Sequence, residues 1–187
     1  MNRYIVLIEG GYMRPALKMF GDPPPEVSYL KLSEHFASGD ERLRTYYYDA
    51  APFQSASPTP DEKRRKAEFD RLTQALERLP RTQVRLGRLQ RRYENGQWRF
   101  SQKRVDVLLA VDLVQLSCEK LIQRAVIVGT DSDFVPAIQT AKNAGTVVQL
   151  CRVPGSRVND ELLRAVDEVI PFDQTLLDLI KVERPEP

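Results

Sequence analysis

A chain of 187 residues, 42% hydrophobic and 29% charged, has the composition of a soluble globular domain large enough to bury one continuous core. No apolar run approaches the roughly 20 residues of a membrane span, and "RYIVLIEGG" lacks the layout of a secretory leader, so the cytoplasm is the default location and a membrane partner is not expected. The net charge of +2 does not by itself point to a nucleic-acid partner, so any such partner must be read from where the charges lie.

The first predicted element is a strand, "YIVLIE" at residues 4–9, closed by Gly10 and Gly11 in what reads as a tight turn. After the prolines of "GDPPPEV", a helix carries Val27, Leu30 and Phe36 and stops at Gly39. "LRTYYYDA" at 43–50 reads as a second strand, its tyrosines serving packing and Asp49 a turn at its end. The proline-rich segment 51–60 is an exposed loop, and an amphipathic helix follows with Phe69, Leu72, Leu76 and Leu79 at helical spacing.

"TQVRLGRLQRRYENGQWRF" holds Asn95-Gly96 between apolar-basic segments, a strong hairpin signal because both turn residues tolerate positive φ. Arg85, Arg88, Arg91, Arg92, Arg99 and Arg104, with Tyr93 and Trp98 among them, offer phosphate contacts and stacking faces. A charge-rich hairpin is equally a solvated face, and both readings stand at this point.

The C-terminal half alternates: helix "VDVLLAVDLVQLS", strand "AVIVGT", helix "FVPAIQTAKNAG", strand "TVVQLC", helix "DELLRAVD", strand "EVIPF" and a last helix to about residue 181. Such units imply right-handed crossovers and a parallel sheet. Cys118 and Cys151 have neither zinc-ligand spacing nor a disulfide pattern, and read as buried free thiols. The expectation is a single domain over residues 1–183 with a tail at 184–187.

In an open parallel sheet, ligands bind outside the carboxyl ends of the strands. Glu9 ends the first strand, Asp131 and Asp133 follow the "AVIVGT" strand, and Asp112 lies in an otherwise apolar helix. Buried carboxylates demand a cationic partner, either a basic side chain or a divalent metal. An all-oxygen donor set suits Mg²⁺ or Mn²⁺ better than zinc, and the lone histidine, His35, argues against histidine-rich sites and a Ser-His-Asp triad. The structural alternatives are equally concrete: Asp131 as a helix cap with Asp133 complementing the dipole, Asp106 as a helix-start residue, and Asp112 as the partner of an arginine or lysine.

"IVLIEGGYM", "RTYYYDA", "QKRVDVLLAVDLVQLS", "AVIVGTDSDFVPAIQTAKNAGTVVQL" and "NDELLRAVDEVIPF" together resemble, in order and spacing, the NYN domain family, the PIN-like group of metal-dependent ribonucleases that includes the LabA-like proteins. The resemblance implies a PIN-like, Rossmann-like α/β three-layer sandwich with a central, mainly parallel sheet and an inserted basic hairpin. It implies Glu9, Asp112, Asp131 and Asp133 as catalytic ligands of Mg²⁺ or Mn²⁺, with Lys103 and Asp106 behind them as phosphate contact and outer ligand. Glu9 stands where the family has aspartate, and Gly129-Thr130 where it has Ser-Gly. The activity implied is endoribonuclease cleavage of single-stranded or loop RNA. The alternative is a catalytically silent module that binds RNA or a protein partner, and a homo-oligomer is compatible with either. A haloacid-dehalogenase-type phosphatase would need a DxD after the first strand, and a dinucleotide-binding protein GxGxxG; "IEGGYM" has neither.

Overall fold

The computed structural model describes residues 2–94 and 96–182, apart from the side chains of residues 90–92, 94 and 98–103. The chain runs β1 (Arg3–Glu9), α1 (Gly10–Lys18), α2 (Tyr29–His35), β2 (Glu41–Asp49), α3 (Pro60–Glu77), β3 (Thr82–Leu86), then β4 (Arg88–Glu94) and β5 (Gln97–Lys103). It continues through α4 (Val105–Cys118), β6 (Arg124–Val128), a 3₁₀ turn (Ser132–Phe134), α5 (Val135–Asn143), β7 (Val147–Arg152), α6 (Asp160–Ala165), β8 (Glu168–Pro171) and α7 (Gln174–Ile180). No helix among the described residues is long and apolar enough to cross a membrane.

Six strands form one parallel sheet in the order β3-β2-β1-β6-β7-β8. The chain winds outward from β1 to β3, then returns through α4 to β6 and winds outward the other way. The winding reverses between β1 and β6, the two central strands, and their carboxyl ends therefore flank the crevice where doubly wound sheets bind ligands.

Both faces of the sheet are covered, which is why β1 and β6 read as unbroken apolar runs rather than alternating ones. Ile5, Leu7, Ala125 and Ile127 face α4, α5 and α6, joined by Leu109, Leu113, Phe134 and Ile138. Tyr4, Val6, Ile8, Val126 and Val128 face the opposite layer, where Met13, Leu32, Leu76 and Leu176 cover them. Each such aliphatic side chain removed from water contributes about 1.5–3 kcal/mol. Tyr47 and Tyr48 are fully buried and Tyr46 nearly so, as packing residues should be.

Local signals account for most element ends. Thr59 and Glu62 form a reciprocal capping box at the start of α3. Gly145 ends the α5 turn at φ +91°, a conformation that glycine adopts without strain. The basic hairpin is present as β4 and β5, antiparallel with Tyr93 opposite Trp98 and Gly96 at φ +78° in its turn; Asn95 lies outside the described residues.

Four expectations change. The helix after the prolines is shorter: Val27 precedes α2 and bridges Lys181, and Phe36 is the C-cap of α2. Gly10 and Gly11 do not make a turn: α1 starts at Gly10, directly after β1. A Cβ at Gly10 would collide with the Tyr47 hydroxyl and Asp49, so glycine here serves close packing at the strand-helix junction. Residues 82–86 form a separate edge strand on β2 rather than part of the hairpin, with Gly87 donating its amide to the Asp49 carbonyl between β3 and β4. Cys151 is buried, but Cys118 is exposed, because it is the last residue of α4 and lies off the Leu109–Leu113–Ser117 face that meets the core.

Candidate metal centre

Alternation along β1 places Glu9 on the same face as Ile5 and Leu7, under the layer built by α4 and α5. Its carboxylate lies against Gly129, where a Cβ would come within 2.7 Å of Oε2. Glycine is therefore required after β6 for Glu9 to occupy this position. Oε2 is buried and has no hydrogen-bond partner among the described residues. Burial, reinforced by the charges of Asp131, Asp106 and Asp49, pushes the Glu9 carboxyl up to about 7, and the Thr130 amide offsets this only in part.

Asp131 follows β6 and caps the 3₁₀ turn, its Oδ1 accepting the Asp133 amide at 2.9 Å. The capping role is thus real, yet it does not exhaust the residue. Asp106, Asp131 and Asp133 each offer a carboxylate oxygen within 4.8 Å of the others. Asp106 reaches them because α4 crosses the sheet in the return direction, so its first turn stands at the carboxyl edge of the strands.

Asp112 is placed differently from the other acids expected here. Six residues on from Asp106 it lies about 9 Å further along the helix axis, below the edge and against the sheet. There its side chain is 13% exposed, accepts the Tyr48 hydroxyl at 2.8 Å, and pairs with Arg85 at 3.3 Å. Arg85 also lies over the Tyr46 ring, 5.6 Å from its centroid. The basic-partner alternative is therefore realised at Asp112, and Arg85, expected on the nucleic-acid surface, is engaged with it.

Of the remaining basic residues, Arg88 and Arg104 are exposed, and Arg104 caps α4 in the left-handed region at φ 75°. The side chains of Arg91, Arg92, Trp98, Arg99 and Lys103 lie outside the described residues.

Asp49, read from sequence as a turn residue, is fully buried on the opposite face of the sheet from Glu9. Both its oxygens bond Arg14, Oδ2 accepts the Tyr47 hydroxyl at 3.1 Å, and Oδ1 the Ala50 amide at 2.8 Å. This pair ties α1 to β2 beneath the β1–α1 junction that carries Glu9. The position of Asp49 at a strand end was visible in the sequence; its partner on another element was not.

The donor set fits a hard divalent cation: carboxylate oxygens only, contributed by α4 and the turn after β6, beside one buried carboxylate oxygen on β1 that has no partner among the described residues. Asp106, Asp131 and Asp133 would hold such an ion, with Glu9 at its border.

The model of the family described as the NYN domain matches residues 3–177. No curated protein matches the chain. Among solved structures, a protein of unknown function, VPA0982 from Vibrio parahaemolyticus RIMD 2210633, is similar at 17% identity and a TM-score of 0.58, over 97% of each chain. A "putative oxidoreductase" from Parabacteroides merdae ATCC 43184 aligns at 12% identity and a TM-score of 0.33, over 89% of this chain and 30% of that one.

Proposed function

This chain belongs to the NYN domain family, which points to the PIN-like nucleases, and from that membership we propose that it hydrolyses RNA phosphodiester bonds with Mg²⁺ or Mn²⁺ held at the acidic edge. The observation that carries the proposal is the convergence of Asp106, Asp131 and Asp133 within 4.8 Å beside the unpartnered Oε2 of Glu9. Carboxylates on three separate segments cost mutual repulsion and, for Glu9, desolvation; a bound cation offsets both.

Asp106, Asp131 and Asp133 are the ligands in this reading. A divalent ion bound there would neutralise the scissile phosphate and lower the pKa of an attacking water. The chain's own contribution is positional. The 3₁₀ turn fixes the Asp131 carboxylate through the Asp133 amide, and Gly129 leaves the space that Glu9 fills. The Glu9 carboxyl, pushed up to about 7 by burial and its acidic neighbours, accepts a proton more readily than an ordinary carboxylate where no ion is bound, and a cation beside it would favour its ionised form. Asp112 acts at one remove, holding Arg85 and Tyr48 under α4. The basic hairpin, which begins at the exposed Arg88 and is followed by the exposed Arg104, receives single-stranded or loop RNA whose charge the acidic pocket would otherwise repel.

The test is cleavage of end-labelled RNA with Mn²⁺ or Mg²⁺. Wild type is expected to cut and Asp131→Asn to lose at least a hundredfold in rate. No cleavage by wild type with either ion, or equal cleavage by the variant, overturns the proposal and leaves a module that binds without cutting.

A further inference from the structure

Beside the acidic edge, on the β7 side, lies a cavity of about 370 Å³ lined by Thr130, Arg157, Val158 and Asn159. Thr130 is shared with the metal centre, since it directly precedes Asp131. The cavity therefore adjoins the acidic edge and is partly open to solvent.

The loop forming its far wall is held in shape. The Val153 amide donates to the buried Tyr12 hydroxyl at 2.7 Å, tying the loop to α1. Gly155 at φ +77° and the Ser156 amide, which bonds the Val153 carbonyl at 3.1 Å, close a turn. The Ser156 hydroxyl donates to the same carbonyl at 2.7 Å. Val158 packs on the core below, and α6 packs against the 3₁₀ turn that carries Asp133.

This turn consumes one arginine and leaves another. Arg152 directs one guanidinium nitrogen to the Val153 and Ser156 carbonyls, each at 3.4 Å, inside the loop. Arg157 is exposed and has no hydrogen bond or ion pair among the described residues. A rigid loop that presents an uncommitted guanidinium to a polar cavity is a ready site for a phosphate, which arginine recognises with its paired donors.

We propose that the Thr130–Arg157–Asn159 cavity binds the phosphate next to the scissile one in a single-stranded RNA, with Arg157 as the contact that sets the register of the strand over Asp131. This rests on the nuclease reading above and adds a subsite to it. The basic hairpin supplies a diffuse field on one side of the edge; Arg157 supplies a single localised contact on the other.

The test measures binding separately from cleavage. Affinity of a fluorescein-labelled decauridylate is followed by anisotropy across a salt series with Ca²⁺ present, for wild type, Arg157→Ala, Arg157→Lys and, as a control at an exposed arginine of α6, Arg164→Ala. Arg157→Ala is expected to bind roughly three- to tenfold more weakly and to flatten the slope of log K against log salt by about 0.7, the loss of one phosphate contact on a single strand. Arg157→Lys should recover much of the affinity, Arg164→Ala should match wild type, and all should melt at the wild-type temperature. Decathymidylate should respond to Arg157→Ala in the same way, because the contact is to phosphate. Equal binding by wild type and Arg157→Ala, or equal losses for Arg157→Ala and Arg164→Ala, overturns the subsite. Loss on Arg157→Ala with no cleavage by wild type in Mn²⁺ or Mg²⁺ would overturn the nuclease reading and leave the phosphate site standing.

Discussion

Glu9 Oε2 and Gly129 are in direct contact across the two central strands, close enough that a Cβ at residue 129 would come within 2.7 Å of that oxygen. Gly129→Ala must therefore push the Glu9 carboxyl away from its site or move the end of β6. The expected result is a loss of about 1–3 kcal/mol in urea denaturation, as for other overpacked positions, together with weaker Mn²⁺ binding. Unchanged stability and unchanged metal affinity in this variant would mean that Glu9 is not held where the structure has it.

Burial and the nearby acids push the Glu9 carboxyl up to about 7 from an ordinary 4.5, so in metal-free protein the folded state favours its protonated form. Its contribution to stability is present in full below about 4.5 and is lost as pH rises through about 7. Denaturation in EDTA at pH 5 and pH 8 should show wild type losing about 2–3 kcal/mol more than Glu9→Gln, whose amide stays neutral throughout. Identical pH slopes for the two proteins would exclude the effect.

Asp106 and Asp112 belong to one helix but to different structures, and metal-induced stabilisation separates them. Saturation at a hundredfold over Kd adds about 2.7 kcal/mol to a protein whose folded state alone binds the ion. Mn²⁺ should raise the melting temperature of wild type and Asp112→Asn, while Asp106→Asn and Asp131→Asn should show little or no rise. Asp112→Asn should instead lower the baseline stability by about 1–3 kcal/mol, since Arg85 and Tyr48 lose a charged acceptor. The opposite pattern would transfer the ligand role from Asp106 to Asp112.

Asp49 is fully buried while the side chain of its partner Arg14 is 48% exposed. Arg14→Ala strands a carboxylate in the core and should cost roughly 3 kcal/mol in urea denaturation. The double variant Arg14→Met with Asp49→Asn should recover part of that loss, because no unpaired charge remains. If Arg14→Ala costs no more than Arg64→Ala on exposed α3, the pair has no such role.

Much of the fold was legible because its physical causes are local. The unbroken apolar runs of β1 and β6 could only be strands buried on both faces, and their alternation with helical patterns required a parallel sheet. Gly96 and the flanking register of the hairpin followed from turn chemistry. The start of α1 and the edge strand β3 were not legible. Gly10 looks like a turn glycine unless one knows that Tyr47 and Asp49 lie behind it, and β3 has no apolar signature because an edge strand is only partly buried.

The acids divide in the same way. That carboxylates would gather at the ends of the central strands followed from the residue types and from where parallel sheets bind ligands, and Glu9, Asp131 and Asp133 are there. Which acid of α4 joins them depended on where the helix crosses the sheet. Sequence alone could say that a carboxylate inside "VLLAVDLVQL" needs a cation; only the tertiary structure decided that the cation is the Arg85 guanidinium, brought from β3, while Asp106 stands at the edge. Periodicity and turn chemistry act between neighbours in the chain and are written in it. The partner of a buried charge is chosen by packing between elements far apart in sequence, and appears only when the sheet has been assembled.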